Sequence, residues 1–447
     1  MPGFVRGLEQ TDHLADRCAR HREQRQCPRL DSNQHVHTDT GPQPAVYANS
    51  TTGATTHIIG ASQHLSTGAN SQYNSAHLTK PAANEGETMR ILLDAMGSDQ
   101  APGVDVEGVV RAARRFGQEI ILVGREEEVK RELARHDTAG LSISVIHTSQ
   151  AIEMREHPGQ AVRNKPDSSM VVGMKMLRDE QVDAFVSAGN SGGMLAAALA
   201  SEGRIGRIKG IQRPALATIF PNLQGFSLIL DIGANTDCKP EWLVQFALMG
   251  SIYSQKVLGV DRPRVGLLSN GEEETKGNVV VQEAHEMLKR LKLNFIGNVE
   301  GKDLPKGMAD VVVSDGFVGN VAIKTAEGVA AMLQSLLRSE IKASPVTMLG
   351  GLLAKPAFKA LGKRLDYREY GGAPLLGVNG VVIIAHGRSD ALAIENAVRV
   401  AIDGVRSRFV ETIRQDIEGM SAAWVSASPT RDQAPAEGEP AEKNDQG

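Results

Sequence analysis

The sequence predicts an α/β fold of three layers, a doubly wound and mostly parallel sheet covered by helices on both faces. Three observations predict it: short unbroken apolar runs recur from about residue 90 to residue 385, helix-like stretches separate them, and most runs end in polar, glycine-rich loops. A strand buried on both faces reads as a continuous apolar run rather than an alternation. Strands alternating with helices imply crossovers, which keep neighbouring strands parallel.

In chain order the expected strands are RILLDAMG, EIILVG, SISVIH, DAFVSAG, FSLILDIGAN, RVGLLSNG, LNFIGNV, ADVVVSDG and VVIIAHG. Helices are expected near 104–116, 125–136, 168–179, 191–201, 241–258, 277–291 and 319–338. Residues 1–88 read differently. Only 14 of them are Ile, Leu, Val, Met, Phe, Trp or Tyr, with no period, so ordering them would cost more than burial returns. They are expected to be a disordered extension, or the result of a start assigned upstream of Met89. A metal tract using His13, Cys18, His21 and Cys27 is the sharper and less favoured reading. A catalytic domain is expected over 89–420 and a disordered tail over 427–447, which is rich in Pro, Ala, Glu and Gln.

Composition narrows the function. At 447 residues, 41% apolar, the chain can bury a large core. Aromatic content of 4% and a net charge of −4 argue against stacking on, or holding, a nucleic acid. Cys18, Cys27 and Cys238 match neither a zinc site nor a disulfide framework, which suits a reducing cytoplasm. No apolar run reaches membrane-spanning length, and the first residues lack the apolar core of a signal peptide.

The loops after the strands carry the chemistry. In open α/β sheets ligands bind beyond the carboxyl ends of the strands. Six loops there are unusually polar: 94–99, 187–193, 231–237, 269–278, 314–320 and 385–390. A shared cleft is the expectation; ordinary caps and turns are the plainer alternative. In SAGNSGG (187–193), Gly189, Gly192 and Gly193 let backbone amides approach a ligand, and Asn190 and Ser191 can cap the next helix. Free amides and the helix dipole together favour a phosphate or a carboxylate. The loop GEEETKGN departs from a nucleotide P-loop, and no G-x-G-x-x-G follows the first strand, so no nucleotide cofactor is expected. Lys276 stands in that loop beside Glu272, Glu273 and Glu274, as a candidate cation or as a solvated lysine. Cys238 has no histidine near it in sequence and is expected to be a bystander.

Residues 338–368 hold seven Lys or Arg against Glu340 and Asp366. Lys355, Lys359 and Lys363 share one helix face; Phe358, Leu361 and Leu365 share another, with Leu349, Leu352 and Leu353 just before. Such a segment suits a membrane surface, or packs its apolar face on protein.

DAMGSD, SAGNSGG, GIQRPALA, DIGANTDCKPEWLVQFALMG, GEEETKGN, NFIGNVEGKDL, ADVVVSDGFVGN, YGGAPLLG and AHGRSD, in this order, resemble the bacterial phosphate acyltransferases from about Met89 to about Val410. The resemblance implies an isopropylmalate dehydrogenase/phosphotransacetylase-like fold, a homodimer and an amphipathic helical hook over 338–368 that touches the inner face of the membrane. It implies reversible acyl transfer from acyl-[acyl carrier protein] to inorganic phosphate in the cytoplasm; no cofactor or metal is expected. The acyl phosphate would feed a membrane glycerol-3-phosphate acyltransferase for phospholipid synthesis. An acyl-CoA-using, phosphotransacetylase-like activity is the alternative. Lys276 is the implied catalytic cation. Asp94, Gly97, Gly189, Asn190, Ser191, Gly192, Gly193, Asp231, Asn235, Asn278, Asp315, Gly316, Asn320, His386 and Gly387 form the implied phosphate-binding set, in which the three aspartates orient donors. Leu349, Leu352, Leu353, Lys355, Phe358 and Lys359 are the implied membrane contacts. Two positions depart from the family: Ser98 and Arg388 stand where it commonly has a glycine and a small residue.

Overall fold

The structure is a computed structural model and describes residues 88–427. The proposed metal tract, almost all of the N-terminal extension and the tail after 427 lie outside the described residues. The strands are β1 (Arg90–Asp94), β2 (Glu119–Gly124), β3 (Ile143–His147), β4 (Ala184–Ser187), β5 (Ala215–Asn222), β6 (Gly225–Leu230), β7 (Val265–Ser269), β8 (Phe295–Glu300), β9 (Val311–Val313), β10 (Ala373–Leu376) and β11 (Val381–Ile384). They form one sheet in the order β3-β2-β1-β4-β11-β10-β5-β6-β9-β7-β8.

Two strands are additions to the sequence reading. β5 carries a proline near its end, and β10 is a four-residue strand behind two glycines, so neither reads as an apolar run. They lie side by side in the middle of the sheet, and their pairings are its only antiparallel ones: β11 with β10, β10 with β5, β5 with β6. Three successive reversals are an odd number. The parallel half built on β11, β4, β1, β2 and β3 therefore runs opposite to the half built on β6, β9, β7 and β8.

Side-chain alternation explains the three layers. Along β1, Ile91 and Leu93 enter one core cluster and Leu92 the opposite one; β2, β4 and β11 divide in the same way. The first cluster is continuous across both halves. It packs α1 (Gly103–Phe116), α6 (Pro240–Lys256), α7 (Val279–Leu288) and α12 (Ala391–Ser407) against β1, β4, β6, β7, β9 and β11. The other face carries two separate clusters. One, under α3 (Pro158–Asn164), α4 (Ser169–Arg178) and α5 (Ser191–Ala200), covers the first half. A smaller one, under the start of α8 (Gly316–Lys342), covers the second. Between them, over β5 and β10, that face has a gap. α2 (Glu126–Leu133), α11 (Tyr367–Tyr370) and α13 (Phe409–Ala427) are further described helices.

α8 runs on beyond its buried start, and α9 (Pro345–Leu353) and α10 (Lys355–Leu365) follow it. No residue of α9 or α10 is buried. Leu349, Leu352 and Leu353 are exposed, as are Lys355 and Lys359, and Phe358 is half-buried. No described helix is long and apolar enough to cross a membrane.

Candidate active site

The gap over β5 and β10 holds a cavity of about 690 Å³, a volume typical of small-ligand sites. Five of the six polar loops reach it. They contribute Asp99 of 94–99, Gly189 to Gly192, Ile232 and Gly233, Asn320, and Ala385 to Gly387. The sixth, 269–278, does not.

The wall on the first-half side is built by the turn from β4 into α5. Asn190 is the helix cap: its Oδ1 accepts from the Gly193 amide at 3.0 Å. Its Nδ2 donates to the carbonyls of Met154 (3.1 Å) and Glu156 (3.2 Å), tying the helix start to the preceding loop. Gly193 is thereby used internally, while Ser191 and Gly192 line the cavity. First-turn amides have no partner within their own helix, so this end of α5 suits an anion.

Behind it lies DAMGSD. The Gly189 amide donates to Ser187 Oγ (3.1 Å), which donates to Asp94 Oδ2 (2.8 Å); Asp94 Oδ1 accepts from the Met96 amide (3.0 Å). A side chain at Gly97 would place its Cβ 2.8 Å from the Gly189 nitrogen. Asp94 and Gly97 thus shape the anion loop from behind and do not line the cavity. Burial raises the Asp94 carboxyl, against its hydrogen bonds from Ser169, Met96 and Ser187.

Asp105, on α1, accepts from Ser98 Oγ at 2.6 Å, so the serine that departs from the family pattern has a partner in this chain. Its other oxygen, Oδ1, has no hydrogen-bond partner among the described residues. Burial, with the nearby Asp94 charge adding to it, pushes Asp105 up to about 7. A folded-state value above the unfolded 3.8 stabilises the fold fully below pH 3.8, and that contribution is lost as pH rises toward 7. Asp105→Asn is expected to flatten this slope in urea denaturation and to raise stability at pH 8 by about 1–2 kcal/mol.

Across the cavity, Asp231 is buried and accepts from the amides of Leu216, Gly233, Ala234 and Asn235 and from Asn235 Nδ2, at 2.7–3.1 Å. Asp315 caps α8 through the Val318 amide (2.8 Å), and the Gly316 amide donates to the Asn235 carbonyl (2.7 Å). These four residues knit two loops together, and Asn320, one turn on, meets the cavity. Asn278 caps α7 through the Val281 amide, and Lys276 is exposed; neither lines the cavity. Burial and the nearby Asp231 and Asp315 charges push Cys238 up to about 12, so it is a neutral thiol and no nucleophile.

The cavity also holds groups that the sequence reading did not single out. Asp99, Lys324, Glu327 and Tyr370 line it. Lys324 and Glu327 lie one turn apart on α8, and Glu327 Oε2 is 3.5 Å from Lys324 Nζ and 3.4 Å from an Arg388 nitrogen. Only the 3.6-residue period counted forward from Asn320 points to them. Partial burial, then the charges of Arg388 and Lys324, lower the pKa of His386. A group of acids that could meet a cation, Glu272, Glu300 and Asp303, lies away from the cavity and is answered by Lys302 and Lys306.

Residues 89–412 match the family model described as "Fatty acid synthesis protein". A phosphate acyltransferase of Pelotomaculum thermopropionicum is 51% identical over 332 residues, 74% of this chain and 96% of that protein. One of Dictyoglomus turgidum is 52% identical over 335 residues, 74% of this chain and 98% of that protein. Among solved structures, a phosphotransacetylase from Streptococcus pyogenes aligns at 18% identity with a TM-score of 0.49, covering 72% of this chain and 94% of that one. With nearly the whole length of these relatives matched at about half identity, the chain belongs to the phosphate acyltransferase family.

Proposed function

We propose that the protein transfers a fatty acyl group from the thioester of an acylated acyl carrier protein to inorganic phosphate. The observation that carries this reading is one cavity with an anion-suited wall, at the start of α5, and an apolar wall of β5 and α8. Phosphate sits on the Ser191 and Gly192 amides, flanked by His386, Gly387 and Asn320. A phosphate oxygen attacks the thioester carbonyl, the tetrahedral oxyanion forms, and the C–S bond breaks to release the carrier thiolate. No enzyme nucleophile is needed, since the thiolate is a good leaving group and the protein supplies proximity and charge stabilisation. Lys324 offsets the phosphate charge. Lys276 enters only if its exposed loop moves over the cavity or a second chain of a homodimer presents it. Phosphate-dependent release of free thiol from acylated carrier protein tests the reading; no release from any acyl donor sinks it. Faster phosphate-dependent release from acyl-CoA than from the carrier would instead favour the phosphotransacetylase-like donor.

In the same reading α9 and α10 rest on the inner face of the membrane and deliver acyl phosphate toward a glycerol-3-phosphate acyltransferase. Exposed leucines beside Lys355 and Lys359 support this. The triple change of Leu352, Leu353 and Phe358 to Ser is expected to lower sedimentation with anionic liposomes by about tenfold or more. Unchanged sedimentation would remove the hook from the membrane.

A further inference from the structure

α8 presents two stripes to the cavity. Asn320, Lys324 and Glu327 fall within about 60° of one another around the helix, and Ile323, Ala326 and Ala330 fall within another 60°, about 90° away. The first stripe carries the polar groups that face His386 and Arg388. The second is purely apolar and shares the cavity with Ile219, Phe220 and Pro221 of β5. The apolar stripe also leaves the cavity. At the same angular position, Leu333 and Leu337 continue it along the projecting part of α8, and both are exposed. From Ile323 to Leu337 the stripe is about 21 Å long, at 1.5 Å per residue. Its first half is walled by β5, and its second half is open.

We infer that this apolar stripe is the acyl-chain track of the cavity, and that Ala326 and Ala330 set the chain length it admits. The inference rests on the acyl-transfer reading above and deepens it. The two alanines are the smallest residues on the stripe, so on the α8 side they leave the most room for a ligand. A chain anchored by its carbonyl at the polar stripe passes them on its way to the open half. Each methylene seated on such a surface contributes about fourfold in affinity. Larger side chains at these positions take the place of several methylenes. Leucine is a strong helix former, so the helix itself tolerates the change.

The test compares kcat/KM for hexadecanoyl and octanoyl carrier protein with saturating phosphate, in the full chain and in Ala326→Leu and Ala330→Leu. The long-to-short ratio is expected to fall by about tenfold or more in at least one of the two. Phe220→Ala, which enlarges the same space from the strand side, is expected to move the ratio the opposite way. A ratio unchanged in all three variants, with the unaltered protein active, overturns the track while leaving the acyl-transfer reading standing. No phosphate-dependent turnover of either donor by the unaltered protein overturns the reading itself, and the track with it. If one leucine variant does not fold, the other and Phe220→Ala decide.

Discussion

Lys324→Ala is expected to lower kcat/KM for phosphate by about 100-fold while leaving the fold intact. The side chain is 56% exposed and its ion pair with Glu327 spans 3.5 Å, so little stability depends on it. Its value in the reaction is different. A cation facing a phosphate and a developing oxyanion in a partly enclosed cavity interacts more strongly than one in open water. Steady-state kinetics on the variant, with circular dichroism as the folding check, measures the effect. A fall of less than about threefold would remove Lys324 from the site. Lys276→Ala, assayed beside it, reports whether the exposed loop 269–278 contributes a second charge. An unchanged rate would confine that lysine to the surface.

Gly319→Ala is expected to be the most damaging small change for stability, with a loss of about 3 kcal/mol or more. A Cβ there would lie 2.0 Å from the Asp231 carbonyl oxygen and 2.6 Å from Ser314 Oγ. The carbonyl belongs to backbone that the Asp231 side chain locks through several amides, so it cannot yield without undoing the loop. Urea denaturation measures the cost. Gly328→Ala is the control on the same helix: nothing lies within 4 Å of its Cβ, and it is expected to gain up to about 1 kcal/mol. Equal midpoints for the two variants would show that the close approach at 319 carries no cost.

Much of this architecture could be read from residue type alone. All nine apolar runs named from the sequence overlap strands of the sheet, because burial on both faces leaves a strand no polar alternation. The turn from β4 into α5 was legible for a related reason, since glycine and asparagine there have few structural uses besides a cap and a close approach. Strand direction was not legible. An apolar run carries no sign, and the two strands that reverse the sheet are those broken by Pro221 or shortened behind Gly371 and Gly372. The expectation that six loops would converge followed from treating the sheet as running one way. β7 lies two strands beyond β6, so 269–278 leaves the sheet away from the gap over β5 and β10, and only five loops meet. Lys324 and Glu327 were missed because they sit inside a helix, where a charged residue usually marks a solvated face. Of the three aspartates expected to orient Asn and Lys donors, Asp231 holds Asn235 Nδ2, whereas Asp94 accepts from the Ser187 hydroxyl and Asp315 from the Val318 amide.

The reversal in mid-sheet also has a mechanical side. β10 is held to β11 by two residue pairs and to β5 by two more, whereas the apolar layer behind the sheet passes unbroken from one half to the other. That back layer works as a spine and the two front clusters as jaws. Any change in the angle between the halves would act first on those four pairs, since parting the spine would expose side chains such as Leu230, Phe246 and Ile383 to water.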